Sequence, residues 1–161
     1  MSADATPLDG ALHPIDERMR TVWAVGAVIP WAVLALAGAT VALVAGAPDL
    51  AGAVALLGVL AALGCAAWAA AAWRRWRWAA WDDALELRHG VVVARSSLVP
   101  YARIQQIDVE RGPLERALGL SRLVLRTAAA TTDAELPGIP DDQVDALRRH
   151  LLARAGLDDA V

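Results

Sequence analysis

Between Val22 and Trp73 the chain carries one formal charge, Asp49, and few foldable architectures tolerate such a run. Val22 to Ala45 is an apolar stretch of 24 residues in which Thr40 is the polar exception. As a helix it reaches about 36 Å, enough to cross a hydrocarbon core of about 30 Å with some tilt. Gly46-Ala-Pro-Asp49 then breaks the helix with turn chemistry, and Leu50 to Trp73 is a second uncharged run. A link this short leaves antiparallel neighbours as the arrangement, so a transmembrane hairpin is expected, with spans over residues 21–46 and 50–74. Composition agrees: 57% of the 161 residues are hydrophobic, against about 45–50% in an ordinary soluble domain, and the excess is concentrated here.

Arginine placement orients the hairpin. Arg18 and Arg20 precede the first span, Arg74, Arg75 and Arg77 follow the second, and the connecting turn holds Asp49. Positive residues stay on the cytoplasmic side. Residues 1–20 are therefore expected to be a cytoplasmic tail, in a multi-pass protein of the cell (inner, cytoplasmic) membrane with both termini cytoplasmic. Trp73, Arg74, Arg75, Trp76, Arg77, Trp78 and Trp81 read as the interfacial end of the second helix and are candidate membrane-interface residues. The first span exceeds the 7–15 apolar residues usual for a signal peptide and is followed at once by another, so it reads as retained. Pro30 is expected to bend the first helix, which membrane helices tolerate. Small residues such as Ala35, Gly38, Ala42, Gly58 and Gly64 suit close packing within the hairpin itself. No charged side chain lies within either apolar run, Val22–Ala45 or Leu50–Trp73, so a transporter or channel role lacks its usual marker.

After Trp81 the period changes. Ala84-Leu-Glu-Leu-Arg88 alternates as a half-buried strand, and His89-Gly90 turns it into Val91-Val-Val-Ala94 as the second strand of a hairpin, ended by Pro100. Ile104–Glu110 reads as a third strand with a bulge at Gln105-Gln106. Pro113 and Gly119 bracket a short helical turn, Leu123–Thr127 is a fourth strand, and Thr132–Leu136 a weaker fifth. From Pro140 a helix follows, with Asp141 and Asp142 in its first turn, arginines near its end, and Val144, Leu147 and Leu151 as its buried stripe. Residues 82–155 thus form a small α+β domain, with 1–14 and 156–161 as tails.

The hairpin, the Arg-His-Gly-Val turn at 88–91, Pro100-Tyr-Ala-Arg-Ile-Gln105, and Gly112-Pro-Leu-Glu-Arg116 with Gly119-Leu120 together resemble the bacterial pleckstrin-homology-like membrane proteins of the YdbS type. The resemblance implies a membrane α+β protein: a two-helix transmembrane hairpin, then a small PH-like antiparallel β domain with a C-terminal α-helix. It also implies relatives with tandem copies of the module as partners. A PH barrel has seven strands and five are readable here, which points to open edges that pair with another copy or another protein.

No catalytic constellation is found. His13, His89 and His150 lack metal spacing, Ser96-Ser97 has no nucleophile elbow, Asp82-Asp83 mark a chain exit into water, and no phosphate loop appears. Neither an enzyme, a cofactor nor a small-molecule substrate is indicated, and the net charge of −3 argues against nucleic acid. Over residues 82–127 seven arginines face six acids (82, 83, 86, 108, 110 and 115), too even a balance for an inositide pocket. Arg103, Gln105, Gln106, Glu115 and Arg116 are candidate partner-binding residues; the same residues suit a bulge and a helix cap, and both readings stay open. The expectation is a non-enzymatic binding or assembly module tethered to the bilayer, associating with itself or a related PH-like membrane protein. The alternative is a membrane-surface sensor contacting anionic headgroups through the Trp/Arg segment in envelope stress.

Overall fold

Long apolar sequence becomes two long helices in the computed structural model, which describes residues 11–127 and 133–156. Helices α1 (Arg18–Val44) and α2 (Pro48–Arg75) are each long and apolar enough to cross a membrane. Their large side chains point outward without protein cover: Leu36 is 72% exposed and Leu57 66%. A core helix of a water-soluble protein would bury such residues. The turn between them is chemical as expected. Gly46 adopts φ +76°, its amide and that of Ala47 return to the carbonyls of Leu43 and Ala42, and Pro48 opens α2. The helices meet through small residues, since a β-carbon on Gly58 would collide with that of Ala35 and one on Gly38 would lie 2.9 Å from Val54 Cγ1. The Trp31 indole Nε1 donates to Cys65 Sγ at 3.1 Å across the same pair, and α1 runs unbroken through Pro30.

The chain divides into two compact units, the hairpin Arg20–Trp73 and a second that joins the segment ending at Met19 to the chain from Arg74 onward. The second unit holds β1 (His13–Pro14), β2 (Arg77–Ala80), β3 (Ala84–His89), β4 (Arg95–Pro100), a 3-10 turn (Tyr101–Arg103), β5 (Ile104–Glu110), α3 (Pro113–Ala117), β6 (Leu120–Thr127), β7 (Ala134–Pro140) and α4 (Asp141–Ala155). All pairings are antiparallel, in two sheets ordered β1-β2-β3-β4 and β5-β6-β7. Alternation sends Leu85 and Leu87 of β3, Leu123 and Leu125 of β6, and Leu136 of β7 inward, where they are wholly or almost wholly buried. Helix α4 covers this core with Val144, Leu147 and Leu151, packing on the 3-10 turn, β5, β6 and β7. Gly156 at φ +70° caps it.

Two-sheet antiparallel architecture with a C-terminal helix matches the expected PH-like domain, including the bulge at Ile104/Gln106 and the Pro113-to-Gly119 helical turn. Several readings are corrected. The described part of the N-terminal tail is no tail: His13↔Trp78 and Pro14↔Arg77 pair in register, and Ile15 and Met19 are buried. Helix α2 stops at Arg75, and what read as an interfacial helix end from Arg77 is strand β2, because alternation of Arg and Trp also satisfies a period of two. The second strand of the β3 hairpin is Arg95–Pro100 instead of Val91–Ala94. The described strands number seven, not five, so the count matches that of a PH barrel. The fourth strand also starts earlier, at Leu120, and the fifth is Ala134–Pro140; Thr132 and the tails at 1–10 and 157–161 lie outside the described residues.

The segment before α1 is clamped at three points. Asp16 N–H donates to the Gly138 carbonyl at 3.2 Å. Arg18 forks onto Asp16 through Nε and Nη2, each at 3.0 Å, and its Nη1 donates to the Leu118 carbonyl at 2.8 Å. Gly138, at φ +70°, lets β7 bend beneath Met19, whose Cβ would lie 3.0 Å from a β-carbon placed there.

Two substitutions test these contacts. Gly58→Leu is expected to destabilise the hairpin by about 1–3 kcal/mol, lowering the thermal midpoint in mild detergent. Gly64→Leu, where a β-carbon would have nothing within 4 Å, is the control, and equal losses would discount the Gly58–Ala35 contact. Gly138→Ala is expected to cost about 1–3 kcal/mol through left-handed strain and to raise amide exchange in β1 and β7. Unchanged exchange would show that β7 does not need the glycine.

Candidate functional site

Two groups of side chains were singled out by sequence, and the fold distributes them unevenly. At the end of α2, Arg74 and Arg75 are exposed in its last turn, where their charge complements the helix C-terminus. Arg75 Nη1 donates to the Val91 carbonyl at 2.6 Å. Trp76 stacks on His89, ring centroids 5.4 Å apart and planes 18° from parallel, and Arg77 Nη1 donates to the Trp76 carbonyl at 2.7 Å. Trp73, the last residue of the hairpin unit, is half-buried. Trp78 departs from the interfacial reading: it is buried in β2 opposite Leu87, with His13 tilted against it at 5.9 Å, because strand alternation turns it inward. Trp81 is 45% exposed but stands beyond the far end of β2, four strand residues further on at about 3.3 Å each.

Trp81 belongs to a polar cluster on the outer face of the first sheet. Its Nε1 donates to Glu86 Oε2 at 3.1 Å, while Arg88 Nε and Ser96 Oγ donate to Oε1 at 2.6 and 2.9 Å. Glu86 is buried, so these three donors replace its hydration. The Arg88 hydrogen bond above all, then Ser96, hold its carboxyl below the ordinary 4.5 against the opposing effect of burial. A parallel arrangement sits at β6. Arg122 Nη2 donates to Glu115 Oε1 at 2.9 Å, Nη1 reaches Glu135 at 3.3 Å, and Glu115 Oε2 accepts the Gly112 N–H at 2.7 Å. Ser121, fully buried, accepts from Arg111 Nε at 2.8 Å and donates to Asp141, pinning the start of α4 to β6.

The second group is likewise split. Arg103, Gln105 and Gln106 are exposed at the start of β5, with Gln106 Nε2 donating to Asp108 Oδ1 at 2.6 Å. Arg116 is exposed on α3, beyond the opposite end of β5. Glu115 faces inward and is 2% exposed, so it serves the cap of α3 and the Arg122 pair and leaves the set of partner-facing residues. Sequence reasoning missed Val92 and Val93, 79% and 65% exposed in the β3–β4 loop, and Leu98, 62% exposed on β4. Three adjacent valines with high β propensity read as a strand; a register ending at His89↔Arg95 puts them in a loop. Among the described residues no group of three or more His, Cys, Asp or Glu side chains could hold a metal ion.

Acidification tests the Glu86 cluster. A carboxylate whose folded value is depressed contributes stability that is fully present above its unfolded value and lost as pH falls through the folded one. Stability is expected to decline from about pH 4.5 downward. Glu86→Gln is expected to flatten that decline in part, since Asp16 and Asp108, held low by hydrogen bonds from Arg18 and Arg126, titrate in the same direction. An unchanged pH profile in Glu86→Gln would remove Glu86 from the acid response.

Comparison with known proteins agrees with this geometry. The family described as Bacterial PH domain matches residues 21–155. The UPF0699 transmembrane protein YdbS of Bacillus subtilis (strain 168) is 30% identical over 86 residues, covering 52% of this chain and 53% of the relative, so the match spans about half the length of that curated protein. No solved structure matches. A transmembrane relative and two helices long and apolar enough to span a bilayer identify a membrane protein. With the family matched from the first span to the end of α4, over two antiparallel sheets closed by a C-terminal helix, this chain belongs to the bacterial PH domain family.

Proposed function

We propose that the protein is a non-enzymatic, membrane-tethered assembly module, which associates through an exposed sheet edge with a second copy or with a related PH-like membrane protein. The observation that carries this reading is the corner where the two sheets adjoin along the chain. Among the described residues β4 and β5 are each the last strand of their sheet, joined by the 3-10 turn, and Leu98, Arg103, Gln105 and Gln106 are exposed there. An edge strand offers unpaired N–H and C=O groups to an added strand, and flanking side chains select which strand is added.

The domain acts at the cytoplasmic face of a multi-pass membrane protein with both termini cytoplasmic. Arginines at 18, 20, 74, 75 and 77 flank the spans while the turn holds Asp49. The β1–β2 pair supports placing both flanks of the hairpin on one side, because strands can exchange hydrogen bonds only in one compartment. A second reading, sensing of anionic lipid at the membrane surface, is favoured by the exposed Arg74 and Arg75 in a segment, 74–81, that has no acid. Its check is native mass spectrometry of the intact protein: Arg74→Gln with Arg75→Gln should lose retained anionic lipid, and equal retention would discard it.

Assembly is tested by mild-detergent purification of the tagged chain from its own host, beside Leu98→Asp and a chain truncated after Arg77. A complex larger than the monomer is expected for the full chain, absent from the truncation and weakened roughly tenfold by a charge on the edge strand. A strictly monomeric full chain without partners, or the same complex from the truncation, would overturn the reading.

A further inference from the structure

The β3–β4 connection, Gly90–Ala94, leaves Val92 and Val93 largely open to solvent with Val91 half-buried beside them. Val92 and Val93 at the loop tip lie outside the core, and water hydrates them poorly. The tip is nonetheless held in place. Gly90, at φ +115°, folds the chain back so closely that a β-carbon there would collide with the Val93 carbonyl oxygen. Arg75 Nη1 grips the Val91 carbonyl at 2.6 Å, and Trp76 stacks on His89 at the base of the loop. Arg75 is the last residue of α2, whose apolar run ends at Trp73, so the valines are tied to the chain where it leaves the span. Charge around them has one sign. Arg75 and Arg95 stand at the base of the loop, and residues 74–81 and 87–100 contain no acid.

An apolar tip with guanidinium groups at its base complements the interface of an anionic bilayer, where phosphates lie outside and acyl chains begin a few ångströms deeper. We propose that Val91–Val93 insert into the acyl boundary of the leaflet at which α2 ends, making the β3–β4 loop a second, non-spanning membrane anchor. This rests on reading α1 and α2 as spans. With the loop tip in the interface, the domain gains a membrane contact of its own beside the chain connection at 74–76, and the Arg75–Val91 hydrogen bond holds the loop to that connection.

The test uses the full chain in nanodiscs of phosphatidylcholine and phosphatidylglycerol, in a Cys65→Ser background, with one cysteine at a time carrying an environment-sensitive fluorophore. Leu57→Cys reports on the span, Val92→Cys on the loop, and Ala146→Cys on the exposed side of α4, outside the proposed assembly edge. Lipid-borne nitroxide is expected to quench the labels at 57 and 92, and aqueous iodide to quench the label at 92 about fivefold less than that at 146. Equal iodide quenching at 92 and 146, with lipid quenching at 57, would overturn the loop anchor and leave the spans standing. Protection from iodide at 92 without lipid quenching would mean that protein covers the valines, and would also overturn it. Absence of lipid quenching at 57 would remove the spans and the loop anchor together.

Discussion

Two residues of strand hold the architecture together. His13 and Pro14, made before the membrane hairpin, pair with Trp78 and Arg77, made after it. The hairpin is therefore an insertion between the first two strands of a sheet, and not a leader joined to a finished domain. Everything near that pair depends on its closing. Ile15 and Met19 reach the core through it, Gly138 bends β7 to receive them, and Arg18 locks the segment to Asp16 and to the end of α3. Closing the loop over residues 15–76 costs chain entropy, but the cost grows only with the logarithm of loop length, and a rigid helical hairpin lowers it further.

Legibility in the sequence followed the strength of each physical signal. The spans were plain because charge is excluded from the bilayer core over some twenty residues at a time. The bulge at Gln105-Gln106 and the short helix before Gly119 were readable because a phase slip and a Pro-to-Gly bracket are local. Strand β2 was hidden because Arg77-Trp78 continues a Trp/Arg alternation that suits an interfacial helix end as well as a strand. Strand β1 was invisible for a different reason: two residues carry no period, and its identity depends on a partner more than sixty positions away.

The candidate sites were less legible than the fold, since a side chain's direction depends on register. Glu115 looked like a surface charge in a polar segment and is instead an internal cap, reached by Arg122 from the neighbouring strand. Trp78 looked interfacial and is core, whereas its neighbours Trp76 and Arg77 stay half-exposed. The valines at 91–93 showed the opposite error, because β propensity placed in a strand what the His89↔Arg95 closure leaves outside the ladder.

The β1–β2 pair also gives this protein an order of events. During synthesis β1 emerges first and waits, since its partner is not made until both spans have been delivered; at about 5–20 residues per second the delay is several seconds. Until residues 15–76 fold back on themselves, β1 has no partner, and Ile15 and Met19 lack the place in the core that the pair gives them. The last step of the sheet is therefore the closing of its first strand, so that the earliest-made strand is among the latest to be secured.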